Sequence, residues 1–313
     1  MKDIEVRQIE YGRWPNCYRL ANHAWELIVT TDVGPRIIRC GFVGGDNEFK
    51  EYADQLGQTG GGDWRIYGGH RLWHAPEHET RTYVPDNSRV KVEPSDSAVR
   101  LVQEIERTTG IQKEIEVRIA PDAAQATITH RLRNAHSSPV TLAPWALSVM
   151  APGGTAILPL PTRESHAGDL LPGNSLALWK YTDMSDPRWT WGHNYILLRQ
   201  DSSSPDKPQK IGAAAPDGWA AYARAGRLFL KTFRHDPVAT YPDRGCSVET
   251  FTNRDMLELE TLGPLVTLGV GATVEHVEQW WLFRDVPIPR HDADIDAHIF
   301  PLVQGVIGHP VQI

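Results

Sequence analysis

The sequence predicts an all-β protein: a large antiparallel β-sandwich, or supersandwich, with a concave sheet face able to hold a ligand. Three observations predict it. Apolar and polar residues alternate with period two along much of the chain. Clusters of Gly, Pro, Asn and Asp punctuate that alternation at short intervals. Helical periodicity is confined to two short stretches, 51–56 and 292–304. At 313 residues the chain suits one large sandwich, so a single domain over 1–313 is expected. A chain of this length buries roughly three quarters of its unfolded surface and needs no disulfide or metal to hold it.

In order, strands are expected at 26–31, 36–40, 90–92, 98–102, 111–119, 126–132, 228–233, 256–260 and 274–283. Turn signals separate them, among them Val33-Gly34-Pro35, Gly44-Gly45-Asp46, Pro121-Asp122, 134–139 and 151–154. The clearest strand puts Ile111, Lys113, Ile115, Val117 and Ile119 on one face and Glu114, Glu116 and Arg118 on the other. One side is core and the other wet, the pattern of an antiparallel sheet with a solvated face. Residues 201–210 read as an exposed loop rather than a domain linker.

Composition narrows the function. A formal net charge of −7, without basic runs, argues against nucleic acid. Three scattered cysteines, Cys17, Cys40 and Cys246, have no zinc-type spacing and fit reduced thiols. The first residues lack an apolar signal region and no apolar run approaches membrane-spanning length, so a soluble, cytoplasmic monomer or homodimer is expected. Eleven tryptophans are the unusual feature. Indole packs against the C–H faces of sugar rings while its N–H supplies a polar handle, although core packing is the commoner role of any single tryptophan.

Three segments could carry chemistry. Residues 63–79 pack two arginines, three histidines, two tryptophans, a tyrosine and two glutamates around Gly68-Gly69. Arginine offers a fixed fork of donors and histidine a proton near neutral pH. His70 and His74 are four apart without a helix, so no metal pair is expected, nor any cofactor. In the strand near 256–260, Glu258 and Glu260 share one face while Leu257 and Leu259 take the other. Like charges so close would raise one carboxyl toward the range of a general base. Residues 178–195, aromatic and irregular, read as a pocket wall or lid. Trp73, Trp145, Trp191 and Glu249 complete the candidate binding residues.

Taken together these segments resemble the galactose mutarotase-like superfamily, which includes the aldose 1-epimerases, and in particular one of its bacterial branches. The resemblance rests on 257–261 followed by 265–274, on Arg65 with Gly68-Gly69-His70, and on the Asn134 to Pro139-Val140 turn. It implies Glu260 or Glu258 as the base that takes the anomeric proton. His70 or His74 would be the acid at the ring oxygen, and Arg65 and Arg71 would orient hydroxyls. The chain departs from the pattern in two places. Val270 stands where proline is usual, and Trp145 occupies the stretch that brings the epimerases a second histidine. Three functions therefore compete: an epimerase-like enzyme on a sugar or sugar acid, a non-catalytic carbohydrate-binding protein, and a glycoside hydrolase or lyase. All three presuppose that the Gly-Gly-His segment and the late acidic strand meet over one hollow.

Overall fold

The computed structural model describes residues 4–163, 173, 175–204 and 207–307. The chain opens with β1 (Glu5–Tyr11), β2 (Trp14–Ala21), β3 (Trp25–Thr30), β4 (Arg36–Phe42) and β5 (Gly69–Ala75), paired in sequence as half of a first sheet. Then β6 (Lys91–Pro94), β7 (Ala98–Val102), β8 (Ile111–Ile119) and β9 (Gln125–Asn134) form one side of a second. From there the chain alternates between layers. It places β10 (Val140–Met150) beside β5, β11 (Thr155–Pro159) in the second sheet and β12 (Leu176–Leu178) at the edge of the first. Next come β13 (Trp189–Trp191) and β14 (Tyr195–Arg199) in the second sheet, and β15 (Gln209–Ala213) in the first. The second sheet gains β16 (Trp219–Arg224) and β17 (Arg227–Phe233), the first β18 (Val248–Thr252) and β19 (Leu257–Leu262). Finally β20 (Val266–Leu268) pairs with the start of β10, and β21 (Thr273–Arg284) crosses the second sheet.

Every registered pairing is antiparallel, and among the described residues the two sheets hold eleven and ten strands. Their facing sides share one large apolar core, to which β8 gives Ile111, Ile115, Val117 and Ile119 as its alternation requires. Asn134 organises the turn into β10. Its side-chain amide donates to the carbonyls of Ser138 and Leu268, while its Oδ1 accepts from His136 N–H. Two short helices, Asp292–His298 and Phe300–Ile307, cover the outer face of the second sheet through Ile295, Ile299 and Val303. No described helix is long and apolar enough to cross a membrane.

Two expectations change. Residues 51–56 form turns rather than a helix, with Leu56 packed under the Trp14 and Tyr67 cluster. The stretch 201–210 is an exposed turn only at its start. Gln209 and Lys210 are buried in β15, and Pro205 and Asp206 lie outside the described residues.

Candidate functional site

Strand alternation decides which side chains meet. On β5 the odd residues Arg71 and Trp73 point to the outer face of the first sheet, while His70, Leu72 and His74 point to the other sheet. Register continues the outward set. Trp145 on β10 lies opposite Trp73, Leu262 on β19 opposite Trp145, and Glu249 on β18 opposite Glu260. Glu258, Glu260, Glu249, Arg71, Trp73 and Trp145 are thereby gathered on one face, all buried. Gly68 and Gly69 permit this placement. Both have positive φ, and a Cβ would fall 1.9 Å from Lys50 O at the first and 2.3 Å from Ile37 O at the second.

Lys210 is the residue that sequence reasoning missed. Its ammonium lies 2.8 Å from Glu249 Oε2 and 3.1 Å from Glu260 Oε2, with the Trp145 and Trp179 rings each 4.7 Å away. The Trp145 Nε1–H donates to Glu260 Oε2 at 2.8 Å. Beside this group Arg71 donates to Glu258 Oε1 at 2.8 Å and lies over the Trp73 ring at 4.3 Å. Burial pushes the Glu249 carboxyl up to about 8 against the pull of Lys210, with Glu260 adding repulsion. Burial likewise raises Glu260, and Lys210 and Trp145 oppose the rise. The Lys210 ammonium is held well above its ordinary value because its acidic neighbours outweigh burial.

Above this layer opens a pocket of about 410 Å3, lined by Trp145, Trp179, Tyr83, Glu77, His78 and Asp243 among others. Trp64 extends the aromatic wall, 5.6 Å from Trp73 and 5.3 Å from Tyr83 between ring centres. The 178–195 segment supplies part of the wall, as its aromatic content suggested. It is pinned to β15 where Thr182 Oγ1 donates to Lys210 O and Asp183 N–H donates to Gln209 Oε1. Several buried polar atoms on this face have no hydrogen-bond partner among the described residues: Arg71 Nε and Nη1, Glu249 Oε1 and Glu260 Oε1.

Four predicted residues stand elsewhere. His70 and His74 face the space between the sheets, so they do not meet the acidic strand's outer face as the resemblance implied. His70 Nε2 is 2.7 Å from His130 Nε2, and its Nδ1 is 2.8 Å from Ser148 Oγ. His130 Nδ1 must donate to the His276 carbonyl, which leaves its Nε2 to accept from His70 and Ser148 to donate to His70 Nδ1. His276 Nε2 meets Thr261 Oγ1, whose own proton goes to Glu278. Glu278 also accepts from Lys231 and Trp280, forming an ion pair sealed from solvent. Among the described residues His70, His130 and Glu278 are the group close enough to share a metal. Their lone pairs are spent on this network and Lys231 already supplies the positive charge, so they fit no cation. His74 is buried, and burial with Lys113 pushes its imidazole down to about 3. Arg65 Nη1 donates to Gly60 O and Tyr67 Oη in its own loop. Trp191 belongs to the second sheet, stacked on Trp189 with its N–H on Met184 O.

The two-layer antiparallel sandwich is a fold shared with solved galactose mutarotase-like proteins. A proposed aldose 1-epimerase from Klebsiella pneumoniae superposes with a TM-score of 0.61 at 13% identity, covering 97% of this chain and 86% of its own. Galactose mutarotase-like proteins from Lactobacillus casei and Clostridium acetobutylicum each give 0.54 at 10% identity, covering 86% and 90% of this chain and 100% and 99% of theirs. No family model and no curated protein matches the sequence.

Proposed function

We propose that the outer pocket of the first sheet binds a monosaccharide or sugar acid and exchanges protons at its anomeric centre. The observation that carries the proposal is the set of unpartnered buried polar atoms among indole rings. Carboxylate oxygens accept from sugar hydroxyls and guanidinium N–H groups donate to them, while Trp145, Trp73 and Trp179 offer flat apolar faces to ring C–H groups. Buried donors and acceptors left open are costly unless a ligand closes them.

The chemistry uses the two carboxyls that flank Lys210. Glu260, in its ionised form beside the ammonium, is the group that would take the proton from the anomeric hydroxyl. Glu249, whose raised value keeps it protonated near neutral pH, gives its proton to the ring oxygen as the C1–O5 bond breaks. Rotation about C1–C2 and closure on the other carbonyl face return both protons to their donors, and the anomer is inverted. This replaces the histidine acid that the resemblance implied, since neither His70 nor His74 reaches the pocket. A second reading, binding without turnover, is favoured by the full burial of Glu249 and Glu260 beneath the indoles.

Adding glucose, galactose or glucuronate while following tryptophan emission tests binding, and polarimetry from the pure α anomer tests turnover. Binding that Arg71→Ala or Trp145→Phe weakens supports the site. Catalysis predicts roughly a 100-fold or greater loss of rate in Glu260→Gln. Unchanged emission with every sugar would refute the proposal, and binding without rate enhancement would select the second reading.

A further inference from the structure

We propose that the outer face of the second sheet carries a separate pocket for a small organic oxyanion, a phosphate ester or a carboxylate, built around Arg188, Arg199 and Arg290. Register places its parts. Arg199 N–H bonds to Arg188 O at 2.9 Å, and Thr155 on β11 lies opposite Arg199, so the three stand in one row across the sheet. Two residues along, on the same face, Thr190 pairs with Leu197. The segment after β21 brings Ile288 and Arg290 across, enclosing about 430 Å3.

Arg188 is the anchor. Its side chain is 1% exposed, and its Nε and Nη2 fork onto the two Asp186 oxygens at 2.9 Å each, with Nη2 also reaching Lys207 O. The remaining nitrogen, Nη1, is buried, has no hydrogen-bond partner in the protein, and belongs to a residue that lines the pocket. Folded proteins seldom leave a charged donor unanswered in such a position. Arg199 is half exposed and paired to Asp201, and Arg290 is exposed with no ion-pair partner among the described residues. Among the described residues the lining carries no carboxylate of its own. Asp186 and Asp201 each offset one arginine, which leaves Arg290 and the open Arg188 nitrogen as the donors that an oxyanion would engage through charge-assisted hydrogen bonds. The Thr155 and Thr190 hydroxyls are further donors at hand, and Leu197 and Ile288 give an apolar wall for the ligand's carbon body.

Calorimetric titration of the full chain with inorganic phosphate, glucose 6-phosphate and glucuronate at low salt tests this. Binding of at least one is expected, weakened roughly tenfold or more by Arg290→Ala and by Arg188→Lys, which keeps the charge and removes the free nitrogen. Arg290 is exposed, so its variant tests the site without touching the fold. Trp145→Phe, on the other sheet, should leave phosphate binding unchanged, which separates this pocket from the sugar site. Preference for glucose 6-phosphate over glucuronate assigns a phosphate ester, and the reverse a carboxylate. Failure of all three to bind at millimolar concentration, or binding indifferent to both arginine variants, would overturn the proposal.

Discussion

Lys210 shows how one side chain sets the behaviour of its neighbours. Glu249 and Glu260 lie directly opposite each other on β18 and β19, a pairing of like charges that destabilises a sheet. The ammonium between them offsets that repulsion. Lys210→Met should therefore lower unfolding free energy by about 3–5 kcal/mol, because the buried Glu260 carboxylate loses its counter-ion. A urea titration at neutral pH measures it. Glu249 makes a second prediction with a definite sign. Its folded value is raised to about 8, so between about 4.5 and 8 the folded chain holds a proton that the unfolded chain has released. Stability contributed by this group is present below that window and falls as pH rises through it. Glu249→Gln should flatten this decline, seen as urea midpoints that change less between pH 5 and pH 8 (roughly the window in question).

At the scale of the element, β5 carries two unrelated tasks on its two faces. His70→Ala should cost roughly 2–4 kcal/mol by opening a cavity and orphaning His130 and Ser148, yet leave sugar affinity within about twofold. Arg71→Ala should weaken the ligand strongly and also cost stability, since it strips the buried Glu258 of its partner. Parallel denaturation and fluorescence titrations would show the two variants exchanging rank in sugar affinity if the faces were assigned wrongly. Much of the architecture was legible in the chain because period-two alternation reports burial directly. The strands at 98–102 and 111–119 lie where expected, and Glu258 and Glu260 do share a face, as do Leu257 and Leu259. That same rule separates His70 and His74 from Arg71 and Trp73, but the dense polar composition of 63–79 read as one cluster and hid its periodicity. The strand β10 was hidden for the opposite reason, since it is buried on both faces and its run of Leu-Ala-Pro-Trp-Ala-Leu does not alternate. Lys210 was masked by the serine- and proline-rich stretch before it. Nothing local in the sequence announces that a lysine two residues into a strand faces two glutamates far along the chain.

Across the whole molecule, the network between the sheets makes the fold sensitive to acid. His70 and His130 are pushed down by burial, and His276 and His74 are pushed down to about 3, chiefly by burial. Unfolded histidines take up protons near pH 6.5, so stability present above that value is lost as pH falls toward the folded values. Each such histidine steepens the loss by up to about 1.4 kcal/mol per pH unit. Unfolding free energy should therefore drop sharply between about pH 6 and pH 4, and replacing His276 with Gln should make the drop shallower. Circular dichroism along a pH series reads both. The division of β5 and β10 into outward and inward residues has a practical corollary. Varying positions 71, 73, 143, 145 and 147 while 70, 72, 74, 146 and 148 are left alone would alter the proposed sugar site, since the first set points to the outer face of the first sheet and the second toward the other sheet. A mutant library that respects this odd–even rule would concentrate its changes on the pocket side and leave the packing between the sheets intact.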